Sequence, residues 1–179
     1  MFEQRRRTLG IALTRLLSWR KTEKPVLFSN SFTNAKTALV IIPESAEQRS
    51  VVAQMIILLQ NKFQGNKLTL VVNEKHRNFS NTINRSNVAT IKEEQLNFFF
   101  LPKRNEFSAL LNQKFDLLLD LNISLVPSAA YFCRNINAPI KVGFSQEHAD
   151  AYYNFQFNAA PNRNAKMRYE QLFRTLSMF

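Results

Sequence analysis

Carboxylates, amides and hydroxyls gather at three places in this chain, each at the end of a short apolar run. Glu44 follows the run at 37–42 and Asn73 follows the run at 67–72; Asp120, Asn122 and Ser124 stand at alternate positions where the run at 115–121 closes. If those runs are parallel strands, all five residues share one rim, because open parallel sheets bind ligands beyond the carboxyl ends of their strands. A carboxylate there can act as a general base or hold a sugar or ribose hydroxyl. The same residue types also cap the next helix or shape a turn, a use that needs no ligand.

Other chemistry is poorly provided for. The turn after the first run reads Ile-Pro-Glu-Ser-Ala-Glu and has no glycine, so neither a dinucleotide fingerprint nor a P-loop is present, and Glu44 and Glu47 oppose a phosphate. A nucleophile elbow and a paired-histidine zinc motif are missing too. Cys133 is the one cysteine and lies in an apolar stretch, which suits a small buried side chain better than a nucleophile. His76 and His148 are far apart and give no zinc spacing. Neither a metal nor a cofactor is expected, and no residue is assigned a catalytic role.

The elements that must carry the rim can be read from periodicity. The run at 37–42 is continuous, apolar and β-branched, the pattern of a strand buried on both faces, and the runs at 67–72 and 115–121 read as a second and a further buried strand. Further strands are expected at 97–101, where three phenylalanines precede Pro102, at 141–144 and at 153–157. Helices are expected at 45–63, opened by a Ser45/Gln48 capping box and stopped at Gly65, and at 106–113, 127–136 and 163–178. The polar stretch 73–87 reads as a loop. Core packing is the expected use of Phe98, Phe99 and Phe100, with stacking on single-stranded nucleic acid the alternative. Strands alternating with helices predict an α/β fold, a three-layer sandwich around a mostly parallel Rossmann-like sheet.

The net charge is +11, and residues 1–36 hold eight basic and two acidic side chains. Phe2, Leu9, Leu13, Leu16 and Leu17 recur near helical spacing, which predicts a basic amphipathic helix within residues 1–24. A linker at 25–36 and a Rossmann-like domain at 37–179 follow. Arg5, Arg6, Arg7, Arg15, Arg20, Lys21 and Lys24 are the candidates for binding an anionic partner, whether a membrane surface, a protein or RNA. The helix could equally dock on the protein's own body. No apolar run is long enough to cross a bilayer and no secretory cleavage site is evident, so the expected setting is the cytoplasm, with the inner face of the membrane as a variant of it.

Four blocks stand out together: Ala-Leu-Val-Ile-Ile, Lys-Leu-Thr-Leu-Val-Val, Lys-Phe-Asp-Leu-Leu-Leu-Asp-Leu-Asn at 114–122 and Asn-Ala-Pro-Ile-Lys-Val-Gly-Phe at 137–144. On these blocks the chain between residues 39 and 144 resembles the N-terminal Rossmann-like half of family 9 glycosyltransferases, the heptosyltransferase family of GT-B fold. In layout it is similar to short bacterial proteins with a basic N-terminal helix, this half-domain and a C-terminal helix. The resemblance implies a Gly-Asp pair with the catalytic acid in the loop after the first strand, where this chain has Glu44-Ser45-Ala46-Glu47. It also implies a second Rossmann-like domain to hold the nucleotide-sugar donor, and this chain reaches Phe179 without one. The expected function is therefore a non-catalytic binding or adaptor protein attached to an anionic surface or partner through its basic helix. The alternatives are a glycosyltransferase-like, nucleotide-sugar-handling subunit that needs a partner, and an RNA- or ribosome-associated protein.

Overall fold

The computed structural model describes residues 2–16, 32–75, 87–159 and 164–178. Its centre is a six-stranded, wholly parallel sheet with strand order β3-β2-β1-β4-β5-β6. In chain order the elements are α1 (Phe2–Leu16), β1 (Ala38–Ile41), α2 (Ala46–Lys62), β2 (Leu68–Asn73), β3 (Asn87–Ile91), α3 (Ser108–Leu111), β4 (Leu117–Asp120), α4 (Pro127–Asn135), β5 (Ile140–Phe144), β6 (Phe155–Phe157) and α5 (Ala165–Ser177). The fold is the expected α/β Rossmann-like one, with helices at both ends of the chain.

Side chains alternate across β1 and so divide the core in two. Ala38, Val40 and Ile42 face α2 and α5, where Val52, Ile56, Tyr169 and Leu172 meet them. Leu39 and Ile41 face the opposite layer, with Phe107, Ala130 and Phe132. β1, β4 and β5 are buried along their whole lengths, which is why they are mostly apolar, with Asp120 and Lys141 the buried exceptions. Asp116 fixes the start of β1: its Oδ2 accepts hydrogen bonds from the backbone amides of Lys36 and Thr37 at 2.8 and 3.0 Å. Those bonds outweigh the opposing effect of partial burial and hold its carboxyl below the usual value. Phe32, inside the stretch expected to be a linker, is already buried in the core.

Several sequence expectations are corrected. The third strand is not the phenylalanine run at 97–101 but Asn87–Ile91, which begins where a polar loop was expected to end. It pairs with β2 only and its first two residues are exposed, so it lacks the apolar signature of the inner strands. The run at 97–101 is instead a tight turn. Asn97 Oδ1 accepts from the amides of Phe99 and Leu101, and Phe100 takes a left-handed φ of 61°. The helix expected at 106–113 is a single turn, α3. Ser45 occupies the N-cap of α2 without a side-chain cap bond. Its expected partner Gln48 accepts a hydrogen bond from the Tyr169 hydroxyl on α5, so its side chain serves helix packing rather than a capping box. The part of the expected loop at 76–86 lies outside the described residues.

Candidate functional site

The strand order reverses between β1 and β4, and the carboxyl ends of those two strands form the switch point where such sheets bind ligands. Asp120 is the last residue of β4 and is fully buried. Its Oδ2 accepts from the Tyr153 hydroxyl at 2.6 Å, and its Oδ1 accepts from the backbone and side-chain amides of Asn122 at 2.9 and 2.7 Å. Burial pushes the Asp120 carboxyl above its usual value, and the same burial pushes the Tyr153 phenol and the Cys133 thiol well up. The Tyr153 ring reaches Asp120 by crossing directly over Gly143, where an added Cβ would sit 2.4–2.6 Å from three ring atoms. Glycine at that point of β5 is therefore a condition for the Tyr153–Asp120 bond. Cys133, buried with its Sγ 3.9 Å from Asp120, is a protonated packing residue rather than a nucleophile.

Asn122 passes this order outwards. Its Oδ1 accepts from the Glu44 amide at 3.1 Å, and Arg49, reaching back from the first turn of α2, donates to the carbonyls of Pro43 and Glu44. The loop after β1 is thus held at its backbone by two side chains. The Glu44 carboxylate meets Arg7 Nη1 of α1 at 2.9 Å through Oε2, and the Ser128 hydroxyl of α4 stands 3.5 Å from Oε1. Burial works against charge on Arg7, but Glu44, with help from Glu3, more than offsets it and raises its pKa.

Of the five expected rim residues, the structure joins Glu44, Asp120 and Asn122 in one network. Asn73 accepts from the amide of Lys75 in a local turn, and Ser124 is exposed. Sequence reading missed Tyr153, Arg49, Ser128 and above all Arg7, which was counted with the residues for an external partner.

Arg7 reaches Glu44 because α1 lies against the body of the protein. Gly10 packs on the turn at 97–101 and on Pro127, the first residue of α4; a Cβ on it would stand 2.2 Å from the carbonyl oxygen of Phe99. One turn later the Thr14 hydroxyl lies 2.8 Å from that of Tyr152, which donates to the Ile11 carbonyl at 3.1 Å. The phenylalanine turn is the other half of the clamp. Arg6 Nε donates to the Phe98 carbonyl at 2.7 Å, and its guanidinium carbon lies 4.0 Å from the centre of the Phe98 ring and 4.7 Å from that of Phe100. The Arg7 guanidinium stands 4.6 Å from the same Phe100 ring. A bulky residue at positive φ is strained backbone, and here it sets a ring under two cations. These rings therefore serve neither the strand nor the core expected of them. Arg5 and Arg15 are exposed, and Arg20, Lys21 and Lys24 lie outside the described residues.

Among solved structures the chain is similar to Escherichia coli heptosyltransferase WaaC with ADP, at 17% identity and a TM-score of 0.53. The match covers 78% of this chain and 46% of that one, so this chain spans less than half of its neighbour's length. At that identity the likeness is one of fold. No curated protein matches the chain. The model of a family described as Family of unknown function (DUF6913) matches residues 5–179, a stretch that takes in the arginines of α1 as well as the whole sheet and α5, and the chain belongs to that family.

Proposed function

We propose that this protein is a non-catalytic binding or adaptor protein, built on a glycosyltransferase-like half-domain and joined to an anionic partner through α1. The observation that carries this reading is the Arg7–Glu44 ion pair. It places the protein's own helix on the one carboxylate of the network that reaches the surface. The other groups of the switch point are likewise engaged within the chain: Asn122 on Asp120 and the Glu44 amide, Asp120 on Tyr153. Asp120 is sealed from solvent, so it cannot serve as an exposed general base. The charge left for a partner is on Arg5 and Arg15 and on the basic residues that follow in sequence, Arg20, Lys21 and Lys24.

The test is titration of the full chain with nucleoside-diphosphate sugars, followed by calorimetry and thermal shift. No saturable binding is expected. Saturable binding that Glu44→Gln weakens without lowering the melting temperature would overturn the proposal in favour of a nucleotide-sugar-handling subunit. That second reading draws on the likeness to a transferase solved with ADP, and it requires α1 to leave the rim.

A further inference from the structure

Residues seven apart on an α-helix fall almost on one line, since two turns take 7.2 residues. Phe2, Leu9 and Leu16 stand on such a line in α1, and all three are in solvent, 69, 53 and 65% exposed. What α1 buries is Gly10 and Thr14, about a quarter-turn or more around the helix. The usual arrangement of an amphipathic helix is therefore reversed along this line: the buried residues are small or polar, Ile11 and Leu13 are half-buried, and three large apolar side chains face outward. Phe98, 55% exposed at the tip of its turn, extends the line, its ring meeting that of Phe2 edge-on at 6.2 Å. Arg5 and Arg15 are exposed on the same helix, whose one acidic residue, Glu3, is paired with Arg7 at 3.1 Å.

We infer that this ridge is an interfacial membrane contact: Phe2, Leu9, Leu16 and Phe98 enter the boundary between headgroups and acyl chains of a bilayer containing anionic lipid, and Arg5 and Arg15 bind its headgroups. The inference rests on the adaptor reading above and names its anionic partner. Three features select lipid. The ridge is convex, formed by a helix flank and a loop tip, and a deformable layer accepts a convex apolar surface where a protein partner would need a matching groove. A second copy of the chain is disfavoured, because each copy carries +11 and would bring the arginines of both ridges together. Nucleic acid would be served by the arginines but gives four large apolar side chains nothing to bury in. The contact is peripheral, since no described helix is long and apolar enough to cross a membrane.

The experiment floats the full chain with vesicles of phosphatidylcholine alone and of phosphatidylcholine with phosphatidylglycerol. The wild type is expected to float with the anionic vesicles and to keep part of its binding in high salt. Arg5→Gln with Arg15→Gln should weaken it on the order of tenfold, and Leu9→Glu with Leu16→Glu on the order of a hundredfold. Both double variants should keep the wild-type melting temperature and the hydrogen-exchange protection of α1, because the replaced side chains face solvent. Failure of the wild type to float would overturn the inference, as would leucine variants that float as well as wild type or binding abolished by salt alone. So would a dimer in vesicle-free solution that Leu9→Glu dissociates. None of these results touches the closed rim, which fails separately if the wild type binds nucleotide sugars.

Discussion

Replacing Gly10 by alanine tests the docking of α1 at its tightest point. On an isolated helix the change stabilises by about 1 kcal/mol, because glycine is the poorer helix former. In the folded protein the new Cβ would stand 2.2 Å from the Phe99 carbonyl oxygen and 3.2 Å from the Pro127 Cβ. To regain an ordinary contact the helix must retreat by about 1 Å. The Arg6–Phe98 bond, now 2.7 Å, and the Thr14–Tyr152 bond, now 2.8 Å, would then exceed hydrogen-bonding range. A hydrogen bond to a charged group contributes about 1.5–3 kcal/mol and a neutral one about 1 kcal/mol. After the gain in helix propensity, docking should be weaker by about 1.5–3 kcal/mol, which multiplies the undocked population by about 10- to 150-fold. Amide hydrogen exchange over residues 2–16 reads that population, while circular dichroism of the whole chain should change little. Exchange as slow as wild type, or slower, would show that helix propensity is all the residue governs and that the close approach to the Phe99 carbonyl is wrong.

Three further outcomes follow from the same geometry. Gly143→Ala puts a methyl group into the Tyr153 ring and should cost about 3 kcal/mol in urea unfolding through overpacking; an unchanged midpoint would refute the placement of that ring. Arg7→Ala and Glu44→Ala, made singly and together, should show a coupling of about 0.5–1 kcal/mol, because each side chain keeps roughly a third of its exposure and solvent screens the pair; no coupling would separate α1 from the rim. Asp120→Asn should flatten part of the pH dependence of stability. The folded carboxyl is raised by burial, so its contribution is fully present below the unfolded value of about 4 and is lost as pH rises through the folded one. The variant should therefore gain on wild type as pH rises from 4 to 7, and the opposite trend in melting temperature would show that the buried carboxylate is stabilised as an anion.

The inner strands were legible because burial on both faces leaves them mostly apolar, wholly so in β1 and with few polar interruptions, such as Thr69 in β2 and Lys141 in β5. The edge strand β3 was not legible, since Asn87 and Val88 face solvent and nothing in their order distinguishes them from a loop. The phenylalanine run misled for the converse reason: three bulky apolar residues before a proline have the composition of a strand, while the turn depends on one asparagine side chain binding two amides downstream. At the rim, the alternate spacing of Asp120 and Asn122 brings the two side chains together, because a strand end places them beside the loop after β1. Arg7 could not be assigned from local sequence, since its partner is thirty-seven residues away and nothing in the spacing says which face of α1 docks. The leucine periodicity marks the face that Phe2, Leu9 and Leu16 leave in solvent and does not identify the docked one. The signal that could have identified it is Gly10 itself, the one residue in the helix with no propensity reason to be there.

The closed rim and the exposed ridge are two faces of one helix, and this couples them. Groups that a ligand would use at the switch point are held by α1 through Arg7, and by a network that runs inward from Glu44 through Asn122 to Asp120 and Tyr153. A ligand competing for Glu44 must therefore displace α1 or at least its second turn. Displacement frees Arg6 and Arg7 from the phenylalanine turn and adds them to the basic border of the ridge. By linkage, whatever binds the undocked helix better than the docked one also opens the rim, and to the same extent. Gly10→Ala, which undocks the helix without touching either the ridge or Glu44, separates the two cases. If the bilayer takes α1 as it is docked, the variant should float no better than wild type. If the bilayer draws the helix off the body, the variant should bind vesicles more tightly by up to the factor of about 10- to 150-fold set by its loss of docking energy.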